Sequence, residues 1–179
     1  MKRLSITCFT LLLFLLACTG NRTDKAVVEK GVKAQLVLKP FSDSLMADSF
    51  KLTLSGDKPG NMIIRFTITS HRGELIYSKD FKGADLVDGY KSTVALDKKK
   101  EQFAFILKEY DLFFEEDNFL EPAVTENETA DRYTPDKEFY KELKNSNLNG
   151  FMYRFSKDTK VYIAWSEKEK KVKVYYQCC

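Results

Sequence analysis

The side chains best suited to chemistry are few and far apart. Cys178 and Cys179 are adjacent. Neighbouring residues on a strand point to opposite faces, so a bond between these two requires leaving strand geometry and closing a strained eight-membered ring. Pairing with another chain, thiol exchange and soft-metal binding by two thiolates are the alternatives to an incidental structural role. No Cys-x-x-Cys and no second cysteine pair accompanies them, which speaks against zinc and thioredoxin-type chemistry. His71 is the single histidine. A general base needs a nucleophile or an orienting partner, and no Gly-x-Ser-x-Gly elbow, His-Glu-x-x-His helix or Walker loop occurs. His71 beside Arg72-Gly73 therefore reads as an exposed turn residue, and no catalytic residue, metal or cofactor is expected. Nine acidic residues and no Lys or Arg lie between Glu109 and Asp131. Hard cations favour clustered oxygens, but the spacing and the missing glycine exclude an EF-hand, leaving a solvated acidic loop. Among 14 Phe, 9 Tyr and 1 Trp, Tyr162, Trp165 and Tyr175 form the candidate binding surface. Tyr162 and Tyr175 face opposite to the main apolar set. Such rings stack on a sugar, anchor a protein, or cover a second packing surface under the long helix.

The elements that position these residues are set by hydrophobic period. From 33 to 82 the period is two. Ala34, Leu36 and Leu38 share one side, then Phe50, Leu52 and Leu54, then Met62, Ile64, Phe66 and Ile68. His71 to Glu74 reads as a hairpin turn before a strand from Leu75 to Phe81. These predict antiparallel strands, in one sheet or half of a sandwich. Phe103, Ile106, Leu107, Tyr110, Phe113 and Phe114 recur at three and four, predicting a helix over about 97–116. Lys98, Lys99 and Lys100 crowd its start and acids its end, both against the helix dipole. That placement implies an opposite charge at one tip, from a partner or from the chain itself. Thr134-Pro135 resembles an N-cap and first-turn proline, predicting a second helix over about 135–146. From 150 to 177 a three-stranded antiparallel meander is expected. Its faces are Phe151, Tyr153 and Phe155, then Val161, Ile163 and Trp165, then Val172, Val174 and Tyr176. Strands, two helices and strands give an α+β class, and at 179 residues the span 32–179 reads as a single α+β domain.

The N-terminus reads as an address. Lys2 and Arg3 precede twelve largely apolar residues, Ile6 to Ala17, too few for the ~20 of a spanning helix. Basic start, apolar run and small residue make a secretory signal. Leu15-Leu16-Ala17-Cys18 resembles the lipobox of bacterial lipoproteins. The resemblance implies cleavage ahead of Cys18, a diacylglycerol on its sulfur and an acylated amino group. Residues 1–17 are then the signal peptide and 18–31 a flexible polar tether. Thr19-Gly20-Asn21-Arg22-Thr23-Asp24-Lys25 puts no Asp beside the cysteine and no acidic run after it. By the same resemblance the protein is lipid-anchored to the bacterial outer membrane, facing the periplasm. There the Asn21-Arg22-Thr23 and Asn127-Glu128-Thr129 glycosylation patterns are idle. The Ala164-Trp165-Ser166 strand and the Cys-Cys pair add a likeness to small uncharacterised lipoproteins of Bacteroidetes, which carries no activity and no functional residues with it.

Charge narrows the partners. Lys plus Arg total 29 against 26 Asp plus Glu, and losing Lys2 and Arg3 leaves 27 against 26. That balance argues against nucleic acid, whose binding rests on phosphate neutralisation. The expected role is a non-catalytic, membrane-tethered periplasmic protein that binds an envelope protein or supports the envelope. The alternatives are a sugar- or peptide-binding module, or thiol or metal handling through Cys178 and Cys179.

Overall fold

The computed structural model describes residues 32–179. The expected signal peptide (1–17), Cys18 and the expected tether (18–31) fall outside the described residues.

Strands β1 (Lys33–Pro40), β2 (Ala47–Ser55), β3 (Ile63–Thr69) and β4 (Leu75–Lys82) form an antiparallel sheet in sequence order. Phe50, Leu52 and Leu54 alternate with exposed or half-buried neighbours, as do Ile64, Phe66 and Ile68 on β3. One face therefore meets the core. β1 departs from its expected phase. Val37 pairs with Phe50 and Gln35 with Leu52, which puts them on the core side. Leu36 and Leu38 turn outward and are exposed. The inward polar residues have partners: Gln35 Nε2 donates to the Tyr110 carbonyl at 3.2 Å, and Lys39 lies over the Phe119 ring. Local alternation could not set this phase, because apolar and polar residues on β1 interchange without a gap.

The β3–β4 turn holds Gly73 at φ 85°, a conformation that favours glycine. His71 is not the exposed residue expected. It is half-buried, and its backbone N–H donates to Asp48 Oδ1 at 2.7 Å. Asp48 is fully buried, and its other oxygen accepts the Ser42 N–H at 2.6 Å. One carboxylate thus ties the β1–β2 loop to the β3–β4 turn.

Among the described residues three α-helices replace the two expected. The additional one, α1 (Gly83–Tyr90), has glycine at positions 83 and 89, residues that lower helix propensity. Gly83 is required by packing, since a Cβ there would stand 2.7 Å from Ile106 Cδ1 and 2.8 Å from the Pro59 carbonyl. Helix α2 (Lys99–Leu112) is shorter than the expected span, and a 3₁₀ turn comes after it at Glu116–Asn118. Part of its charge placement is answered within the chain. Lys98 pairs with Glu101 at 3.4 Å, and Lys39 pairs with Glu116 and Glu121 beyond the far end. Helix α3 (Lys137–Ser146) starts later than expected. Asp136 is the N-cap, accepting the Phe139 N–H at 3.0 Å, while Thr134 Oγ1 accepts the Asp131 N–H in the preceding turn. Asn147 closes α3 at φ 52°.

The C-terminal meander gains an edge strand. Strands β5 (Phe119–Leu120), β6 (Gly150–Ser156), β7 (Thr159–Ser166) and β8 (Lys171–Cys178) form a second antiparallel sheet in that order. Phe50 and Phe66 of the first sheet meet Phe151 of the second, with ring centroids 5.5 and 5.1 Å apart. The same core takes in Leu86, Tyr90, Phe105, Ile106 and Tyr110 from α1 and α2. Edge-to-face ring pairs dominate it, as aromatic quadrupoles favour. The far face of the second sheet carries a separate cluster, built on Phe139, Tyr140 and Leu143 of α3.

Candidate functional site

A β-bulge decides which aromatics meet on that far face. Tyr162 pairs with Tyr176, but its neighbour Ile163 pairs with Val174. Tyr175 is the extra residue, and one extra residue exchanges the faces on its two sides of the strand. Val172 and Val174 therefore join the main core, while Tyr175 and Tyr176 pack with the α3 cluster. The expectation that Tyr176 continues the Val172, Val174 face fails for this reason.

The result is a cleft of about 320 Å³ walled by Tyr140, Tyr162, Tyr175 and Tyr176. Tyr162 and Tyr176 meet edge to face at 5.4 Å between centroids, and Tyr162 and Tyr175 at 6.0 Å. Tyr175 is 3% exposed, and its hydroxyl donates to the Ala123 carbonyl at 2.9 Å. The Tyr176 hydroxyl donates to Asp131 Oδ2 at 3.0 Å. Burial pushes both phenols well above their ordinary value, and the Asp131 charge adds to the effect at Tyr176. All the hydroxyls stay protonated, so the walls offer ring faces and neutral dipoles.

The rim comes from the segment between β5 and α3. Glu128 Oε2 accepts the Thr125 N–H at 2.6 Å and its hydroxyl at 2.9 Å, and Asp131 Oδ1 accepts the Tyr133 N–H at 2.8 Å. Lys144 Nζ of α3 donates to the Glu126 and Glu128 carbonyls, both at 2.7 Å. The Gln177 N–H donates to the Tyr133 carbonyl at 3.0 Å. Helix α3 is fixed in turn by the Ser166 hydroxyl, which donates to Glu142, and by Lys173 on Asp136 at 2.7 Å. Among the described residues, Glu128 and Asp131 are the only charged side chains lining the cleft. The acidic loop is thus structured, and two of its carboxylates face the tyrosines.

The other candidate residues separate. Trp165 lies on the opposite face, packed against the main core, so Tyr162, Trp165 and Tyr175 do not form one surface. The surface covering Tyr175 is α3, not the long helix. Cys178 pairs with Lys160 and therefore shares the Tyr162 face. Both thiols are unbonded to each other. Burial and the adjacent Cys179 push the Cys178 thiol up, against Lys160, which favours the thiol over the nucleophilic thiolate. Among the described residues no three His, Cys, Asp or Glu side chains converge as a metal site requires. No described helix is long and apolar enough to cross a membrane.

Sequence reading identified Tyr162 and Tyr175 but missed Tyr140, Tyr176, Glu128 and Asp131 as their neighbours. The grouping of Phe139, Tyr140 and Leu143 on one side of α3 carried part of the signal. The chain matches no protein-family model, no curated protein and no solved structure.

Proposed function

We propose that this is a non-catalytic lipoprotein, held through Cys18 to the bacterial outer membrane on its periplasmic side, and that the tyrosine cleft binds a basic peptide segment of an envelope partner. The observation that carries the reading is the pairing of four tyrosine walls with a rim whose only charges among the described residues are Glu128 and Asp131. Ring faces attract cations by about 0.5–1 kcal/mol when exposed and about 2 when desolvated. The carboxylates keep acceptor capacity beyond the hydrogen bonds they already receive, and a Lys or Arg head satisfies it. A Lys or Arg stem packs on tyrosine while its head reaches the rim. The anchor rests on Leu15-Leu16-Ala17-Cys18 closing an apolar run, and multiple acyl chains hold a protein stably where one does not.

The test combines palmitate labelling in a bacterial host with peptide titration. Label incorporated by the full chain and lost in Cys18→Ser supports the anchor; an unlabelled full chain overturns it. Peptides containing Lys or Arg should bind the full chain in detergent, weaken in Tyr162→Ala, and weaken as salt rises. Binding of neutral oligosaccharides instead, or peptide binding unchanged in Tyr162→Ala, overturns the cleft assignment.

A further inference from the structure

A second cavity, of about 330 Å³, lies between α1, α2 and β6. Its size falls within the range of small-molecule sites. Ile64, Phe81, Leu86 and Phe113 give it an apolar floor. Tyr90 lines it and is 8% exposed, and among the described residues the proton of its buried hydroxyl has no acceptor. Buried hydroxyls are rarely left so. Glu109 and Arg154 line the same cavity; Glu109 acts on Tyr90 by its charge, and Arg154 by its charge and as a donor to the phenol oxygen. They also feel one another across the cavity, yet among the described residues neither closes an ion pair. Glu115 and Asp117 complete the acidic side of the mouth. One cation, an O–H without an acceptor, several carboxylates and an apolar floor thus converge on one small space.

We propose that this cavity binds an α-amino acid with an apolar side chain, in its zwitterionic form. Arg154 and the Tyr90 hydroxyl receive the carboxylate, since a guanidinium and a hydroxyl both donate to it. Glu109, with the acids at the mouth, receives the ammonium. The apolar floor takes the side chain. A plain carboxylate would be repelled by the acids and a plain amine by Arg154. A molecule carrying both charges on one carbon satisfies each side. Burial holds the Glu109 carboxyl above its ordinary value, and an incoming ammonium favours its charged form. This site is separate from the tyrosine cleft and does not depend on the role given to it.

The test is calorimetric titration of the full chain in detergent with L-leucine and L-phenylalanine. L-leucinamide lacks the carboxylate and N-acetyl-L-leucine lacks the ammonium, so each should bind about tenfold more weakly than L-leucine. Tyr90→Phe should weaken L-leucine about five- to tenfold, while the unliganded variant melts close to the parent because the hydroxyl proton it removes has no acceptor. Arg154→Gln should erase the preference for leucine over leucinamide. Tyr176→Phe, in the other cleft, should leave leucine binding unchanged. The proposal is overturned if neither amino acid gives a saturable signal up to about 10 mM, if the blocked forms bind as well as leucine, or if Tyr90→Phe and Arg154→Gln bind it like the parent.

Discussion

Replacing Asp48 with alanine should destabilise the protein more than any other single polar substitution in the first sheet. The carboxylate is wholly buried and receives two short backbone hydrogen bonds, from Ser42 at 2.6 Å and His71 at 2.7 Å. A hydrogen bond to a charged group contributes about 1.5–3 kcal/mol, so the pair sets a ceiling of about 3–6 kcal/mol. Ser42 and His71 are half-buried, and water will recover part of that. The expected loss is about 2–4 kcal/mol, a Tm drop of about 5–15 °C in a chain of this size. The His71 ring contributes little by comparison, because its Nδ1 stands 3.4 Å from the carboxylate, a weak contact. His71→Ala, which keeps the backbone N–H, should cost about 0.5 kcal/mol or less. Asp48→Asn should fall between, since its amide retains one acceptor oxygen and turns an NH₂ toward the other donor. Urea unfolding of the full chain with the three variants measures these directly. If His71→Ala costs as much as Asp48→Ala, or Asp48→Ala costs under about 0.5 kcal/mol, the argument that this carboxylate pins two loops through their backbone is refuted.

Two carboxyls should shape the pH dependence of stability in opposite senses. Burial raises Glu109, so its folded form holds the proton above the ordinary value of 4.5, and stability falls as pH rises from there through the folded pKa. Lys173, then the Phe139 N–H, lowers Asp136, so its contribution is present above 3.8 and is lost as pH falls through the folded pKa. Melting curves from about pH 2 to 8 should show Glu109→Gln removing the first slope and Asp136→Asn flattening the acid limb; curves parallel to the parent would contradict both. Gly150→Ala should cost about 1–3 kcal/mol, because the new Cβ would lie 2.9 Å from both Ala123 Cβ and the Tyr175 hydroxyl. It should also weaken whatever occupies the tyrosine cleft, and unchanged stability with unchanged binding would show that Gly150 does not set the Tyr175 position.

The α+β class and the antiparallel strands were legible because period-two burial is a local property. Phe50, Leu52, Leu54, Ile64, Phe66 and Ile68 are all buried as their spacing implies. The failures come from effects that act across the chain. The phase of β1 depends on Tyr110 and Phe119, partners more than seventy residues away. Helix α1 forms from a glycine-containing stretch because tertiary packing outweighs propensity. The two-residue strand β5 is too short to show a period. The turn residue His71 became half-buried because Asp48 recruits its backbone, and nothing near either residue in sequence announces the other. For the cleft, the rings were legible and their grouping was not. The bulge at Tyr175 is visible only once β7 and β8 are in register.

The same bulge explains why a cleft exists at all. The outer face of the first sheet presents Lys51, Thr53, Arg65 and Thr67 beside the exposed Leu36 and Leu38, with Arg65 paired to Asp80 at 2.8 Å. Its charged and hydroxyl groups keep that mixed face in water without a cover. The far face of the second sheet is aromatic and does need one. Helix α3 has ten residues and reaches about 15 Å, whereas the eight residues of β7 extend about 27 Å. The helix is pinned at one end of the strand, through Glu142 to Ser166 and Asp136 to Lys173. Its reach ends at Tyr140 over Tyr175. Tyr162, Tyr176 and Cys178 lie past that point, bordered by the Thr125–Asp131 segment rather than roofed by it. A longer helix or apolar loop residues would have closed this surface into core. Two carboxylates at its edge, each already oriented by hydrogen bonds, instead keep it a cleft.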